Sequence, residues 1–125
     1  MEEVAAKAQS RGYRKLGITG TKYIMEGPVY PQVLDGCGIE HLAPQPDERA
    51  RIDAIIFDEL VNGVFKPESR AYFQQVIGRM SHEGCDAVVL GCTEIPLLID
   101  DVTSPLPTLD STRILARAAI RHALE

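Results

Sequence analysis

GCDAVVLGCTEIPLLI, residues 84–99, carries the decision about the fold. Its centre, DAVVLG (86–91), is an uninterrupted apolar run of strand length, the kind buried on both faces of a parallel sheet. The run stops at Gly91-Cys92. Thr93 can then cap a following turn, and Glu94 and Pro96 suit early helical positions. A cysteine that stands between a buried strand and the mouth of a helix either fills space or presents a thiol to a ligand.

Working outward, the segments on either side alternate strand and helix. PESRAYFQQVIGRMSHEG (67–84) reads as a helix opened by Pro67 and closed by Gly84, with Tyr72, Phe73, Val76, Ile77 and Met80 as its apolar set. PDERARIDAIIFDELVNG (46–63) is another, with Ile52, Ile55, Ile56, Leu60 and Val64 at helical spacing and Asn62-Gly63 as a C-terminal cap. IEHLAP (39–44) is a strand stopped by proline, and KLGITGT (15–21) a strand that ends at a glycine turn. Residues 23–36 mix loop and helix, Pro28 and Pro31 belonging to first turns. Residues 1–12 form a short helix with Val4, Ala5 and Ala8 on one side. Downstream, SPLPTL (104–109) is a short fourth strand, and DSTRILARAAIRHAL (110–124) a last helix whose apolar set is Ile114, Leu115, Ala118, Ala119 and Leu124. Such alternation implies a parallel sheet covered by helices on both faces. No repeat, low-complexity segment or linker interrupts it.

The size fits one domain: 125 residues, 45% hydrophobic and 25% charged. A net charge of −5 gives no electrostatic reason to bind nucleic acid or an anionic membrane surface. No apolar run approaches the roughly 18 residues that span a bilayer, and MEEVAAKAQSRGYRK does not have the pattern of a secretory signal. Three cysteines, an odd number, argue against a disulfide framework and fit reduced thiols in a bacterial-style cytoplasm. Cys85 and Cys92 are expected to share a strand, where seven residues at about 3.3 Å each hold them too far apart to bridge. His41, His82 and His122 are scattered without metal-ligand spacing, so no metal site is expected. The glycines of GITGTKYIMEG (17–27) lack the spacing of a nucleotide loop, so no phosphate cofactor is expected.

In an open parallel sheet, ligands sit outside the carboxyl ends of the strands. Cys92 follows its strand directly and belongs on that rim. The positive end of the following helix would lower its pKa and favour the thiolate, while free N–H groups there suit a carboxylate. Gly91 would let a ligand approach the backbone. On spacing alone, an inert buried cysteine fits as well. Thr19, Gly20 and Thr21 share the rim; they either hold a carboxylate or make an ordinary strand-to-helix turn. Thr93 offers an N–H beside the thiol. Glu94 either orients the thiol or favours the helix start.

GCDAVVLGCTEIPLLI (84–99) resembles the second catalytic-cysteine motif of the aspartate/glutamate racemase family. GITGTKYIMEGPVY (17–30), IIFDELVNGVFKPESRAYF (55–73) and PTLDSTRILARAAI (107–120) extend the resemblance in the same order over nearly the whole chain. The Thr93-Glu94 pair looks like the aspartate-racemase branch. The resemblance implies a flavodoxin-like α/β lobe of about four strands, one of two, and cofactor-independent racemisation of a small acidic amino acid without pyridoxal phosphate. Two cysteines would flank the substrate α-carbon, one as thiolate base and one as thiol acid. Cys92 would be one of them. Thr21 and Thr93 would hold a substrate carboxylate, and Lys66 a side-chain carboxylate, although Val61 or Asn62 could equally occupy that lysine's position. The first lobe, with the other cysteine, has no counterpart here. Cys37, in a turn between helix and strand, and Cys85, at the far end of the Cys92 strand, are poorly placed to replace it.

The resemblance thus divides the chain into a second-lobe body, 1–103, and a terminal strand and helix, 104–125, that would pack on the missing lobe. An unpartnered helix face there favours a homodimer, a separate partner lobe or a displaced last helix. The functions left open are racemase (an isomerase), a single-cysteine lyase or decarboxylase of the same superfamily, and a catalytically silent half-protein.

Overall fold

The computed structural model describes residues 2–124; residues 1 and 125, which the expected first helix and terminal segment include, lie outside the described residues. Four parallel strands, β1 (Lys15–Thr19), β2 (Glu40–Leu42), β3 (Ala87–Leu90) and β4 (Thr108–Asp110), form one sheet in the order β2-β1-β3-β4. Among the described residues, seven helices flank it: α1 (Glu2–Ser10), α2 (Lys22–Glu26), α3 (Val29–Gly36), α4 (Pro46–Asp58), α5 (Pro67–His82), α6 (Ile95–Leu98) and α7 (Ser111–Leu124). This is a flavodoxin-like α/β arrangement, as the alternation of segments predicts.

Strand geometry explains the two-sided burial of β3. Successive side chains point to opposite faces, so Val88 and Leu90 join one core and Ala87 and Val89 the other. The first core is built with Ile52, Ile55 and Ile56 of α4 and Phe73, Val76, Ile77 and Met80 of α5. The second uses Val4, Ala5 and Ala8 of α1, Tyr30 and Leu34 of α3, and Leu16 and Ile18 of β1. Gly17 alternates into the first core, where a Cβ would stand 2.4 Å from Met80 Sδ. The glycine lets α5 settle against β1.

Several expectations need correction. The helix expected over 46–63 is α4, which stops at Asp58 and is followed by a tight 3-10 turn (Leu60–Asn62) and by Gly63 in the left-handed region at φ 74°. Val64 therefore lies beyond the helix and is exposed. The fourth strand is shorter and later than 104–109, because Pro105 and Pro107 cannot donate to a ladder; only the Pro107 carbonyl takes part, accepting from Val88 N–H at 2.9 Å. Cys85 and Cys92 flank β3 and are not members of it. Of the apolar set expected in α7, Ala118 is buried and Ile114 partly so, while Leu115, Ala119 and Leu124 face outward. Within this chain β4 pairs with β3 and α7 packs on α1, with Arg121 reaching Glu3 at 3.8 Å. Among the described residues, no helix is long and apolar enough to cross a membrane.

Candidate active-site rim

β1, β3 and β4 end side by side, and the segments leaving them form one rim. Gly91 N–H donates to the Thr19 carbonyl at 2.9 Å, tying the exit of β3 to that of β1. A Cβ at Gly91 would lie 2.6 Å from that same oxygen. Gly91 is therefore needed for an approach of the chain to itself; the space expected for a ligand is taken by the Thr19 carbonyl. The Thr19 hydroxyl is also committed, donating to the Val89 carbonyl at 2.7 Å in a buried setting. On the other side, Ser111 donates its hydroxyl to the Leu90 carbonyl at 2.9 Å, and the buried Tyr30 phenol bonds Ser111.

Cys92 follows this junction, half-buried and packed against the first core. Burial pushes its thiol up from the ordinary value. The backbone N–H groups of Ile95 and Glu94 oppose that shift by bonding the sulfur, and the Glu94 carboxylate adds to it by charge and by hydrogen bonding. The expectation of a lowered pKa is thus overturned. α6 has only four residues, so its dipole and two N–H groups do not outweigh the loss of water around the sulfur. The arrangement holds a protonated thiol.

The other rim residues are less tightly built. Thr93 is exposed, and the N-cap position belongs to Glu94, which makes no capping bond through its side chain. Thr21 is the N-cap of α2, half-buried, with no side-chain capping bond. α5 ends where β3 begins, so its opening residue, Lys66, lies toward the rim that carries Cys92; its side chain is exposed. Nearby, Asn62 uses its amide to bond the Asp58 carbonyl at 3.2 Å, and Val61 is exposed. Cys37 follows α3 and precedes β2, and Cys85 precedes β3 with its thiol also pushed up by burial. Both sit at the strand-entry end, away from Cys92.

Sequence reasoning did not single out Arg70. Its Nε donates to the Leu98 carbonyl at 2.8 Å and so braces α6 from α5. The only signal was its place one turn after Lys66, and nothing in the sequence joins it to residue 98. A cavity of about 320 Å³ runs from the β3 and β4 exits (Leu90, Asp110) past Pro96 and Asp100 to Lys7 of α1 and Arg113 of α7, and its lining does not include Cys92.

The profile of the Asp/Glu/hydantoin racemases matches residues 1–119. The chain belongs to this family. Among its relatives, glutamate racemase of Thermus thermophilus is 30% identical over 126 residues, covering 98% of this chain and 44% of the relative. The broad specificity amino-acid racemase RacX of Bacillus subtilis is 22% identical over 110 residues, covering 86% of this chain and 46% of the relative. In crystal structures, a candidate Asp/Glu racemase from Yersinia pestis superposes with a TM-score of 0.93 at 33% identity, over 99% of this chain and 54% of that one. An aspartate racemase homologue from Pyrococcus horikoshii gives 0.91 at 33%, over 99% and 54%. The racemase-family chain described here spans about half the length of the relatives it matches.

Proposed function

We propose that this chain is the second half of a cofactor-independent racemase for a small acidic amino acid, with Cys92 as one of the two groups that exchange a proton at Cα. The observation that carries this reading is the placement of a half-buried thiol at the exit of β3, held by two backbone N–H groups, in a member of the racemase family. Inversion requires a planar carbanion to lose its proton on one face and gain one on the other, so an acid and a base must flank it. Kept protonated, Cys92 is the acid: its S–H bond breaks as the Cα–H bond forms, and the sulfur retains the pair as thiolate. In the reverse direction the thiolate takes the proton back. Thr93 and Thr21 are the assigned carboxylate holders, Lys66 the assigned partner for the substrate side chain, and Glu94 a group that adds to burial in keeping the thiol protonated.

The opposing group must come from another body, either a partner half or a second copy of this chain. Incubation with L- and D-aspartate and glutamate in heavy water tests this, with deuterium at Cα and chirality followed together and Cys92→Ala as control. Deuterium incorporation that needs Cys92 is the expected result. Inversion identifies a supplied second group, and exchange with retention a single-faced site of the lyase kind. A folded chain without any exchange would instead be a catalytically silent half-protein.

A further inference from the structure

Cys92 is held by a helix too short to be stable on its own. α6 has four residues, and a helix of that length depends on its surroundings. Leu97 N–H bonds the Glu94 carbonyl at 3.1 Å, and Ile99 N–H bonds the Ile95 carbonyl at 3.0 Å. A further brace comes from α5, where Arg70 donates Nε–H to the Leu98 carbonyl at 2.8 Å across 28 residues of sequence. Leu98 is the last residue of α6, so its carbonyl lacks an intrahelical donor, and a cation there also opposes the negative end of the helix. Arg70 itself stands on a fixed base. The buried Ser69 donates its hydroxyl to the Glu59 carboxylate, and the Lys66 carbonyl accepts the N–H groups of Ser69 and Arg70, each at 3.1 Å.

We propose that Arg70 is a positioning residue for Cys92: by gripping Leu98 it holds α6, whose Ile95 and Leu98 belong to the core against which Cys92 packs. Arg70 acts through the backbone of α6 and not on the thiol. It also joins two parts of the rim, because Lys66 opens the helix that carries Arg70. The catalytic meaning rests on the reading of Cys92 as an acid/base thiol; the mechanical claim does not need turnover to be tested.

The test is the pH dependence of Cys92 alkylation by iodoacetamide, read on the Cys92 peptide by mass spectrometry. Loosening α6 admits water to the sulfur, and burial outweighs the N–H bonds in setting the thiol, so Arg70→Gln moves the midpoint downward and speeds alkylation at about pH 8 by roughly three- to tenfold. Arg70→Lys keeps a donor without the fixed fork and falls between the two. Gln74→Ala removes a comparable bond from the same helix, Nε2 to the Thr103 carbonyl at 2.8 Å, and leaves the profile unchanged. A folded Arg70→Gln protein with its midpoint at or above that of the unaltered chain overturns the proposal, as does an equal shift in Gln74→Ala. If Arg70→Gln does not fold, Arg70→Lys decides by the same criterion. A shift in Arg70→Gln alongside no substrate exchange leaves the positioning role standing and removes the racemase reading. Cys92-dependent exchange with a midpoint indifferent to Arg70 does the reverse.

Discussion

At Cys92 two effects compete over one sulfur. Removal from water favours the neutral thiol, and two backbone N–H groups favour the thiolate; burial wins, and the Glu94 carboxylate reinforces it. Glu94→Gln removes a negative charge and an acceptor from beside the sulfur, so the Cys92 midpoint is expected to fall. Alkylation at about pH 8 then rises by roughly three- to tenfold, and an unchanged or raised midpoint would place Glu94 outside the thiol's surroundings. The same shift has a consequence for stability. Since the folded value lies above the unfolded one, the folded state keeps its proton while the unfolded state loses it. The contribution is complete below the ordinary thiol range and is lost as pH climbs from there through the folded value. Denaturant titrations of Cys92→Ala are expected to show a shallower alkaline decline than the unaltered chain. The position of Cys92 was legible in the sequence, because an apolar run ending in Gly-Cys fixes where the chain leaves the sheet. Its protonation was not. Helix-terminus chemistry can be read from Glu94 and Pro96, but the length of α6, the burial of the sulfur and the direction of the Glu94 side chain belong to packing. The same holds for Thr19, whose hydroxyl turns inward to Val89.

Among the elements, the glycines separate contact from conformation. At Gly91 an added Cβ would meet the Thr19 carbonyl at 2.6 Å and Ile24 Cγ2 at 3.0 Å, and backbone cannot move aside cheaply. Gly91→Ala is expected to cost roughly 2–3 kcal/mol and to disturb the β1–β3 exit that seats Cys92. Gly78, inside α5, has nothing within 4 Å of an added Cβ. Gly78→Ala is therefore expected to stabilise the chain by about 0.5–1 kcal/mol through helix propensity. Chemical denaturation of the two variants checks both signs, and a destabilising Gly78→Ala would show that α5 is packed more tightly there than its surroundings indicate. The helices with dense apolar periodicity, α4 and α5, and the all-apolar β3 could be read from sequence because burial and periodicity coincide in them. β4 was legible as a strand but not in its start, since its approach carries two prolines whose missing donors only matter once a neighbouring strand is known. α7 misled for the opposite reason. Its periodicity is that of a two-sided helix, and one of those sides is not covered by this chain.

That uncovered side is a property of the whole molecule. α7 meets α1 through Ala118 and Ile114, while Leu115, Ile120 and Leu124 are 46%, 60% and 83% exposed. Leu115, Ala119 and Ala123 make one row at helical spacing and Ala116, Ile120 and Leu124 the adjacent one, so the exposed apolar positions form a continuous stripe. The relatives it matches are about twice as long, which makes a facing body the expected cover, and without one a second copy of the chain offers the same stripe in return. Light scattering over a range of concentrations is therefore expected to give a mass rising above the 13.7 kDa of one chain. Leu115→Glu with Ile120→Glu is expected to return it to a single chain while changing stability by no more than about 1 kcal/mol, since neither side chain buries much within its own fold. A single-chain mass at every concentration would exclude the second copy as the cover. The opposing catalytic group would then have to come from a partner half, and substrate inversion should appear only when that half is present.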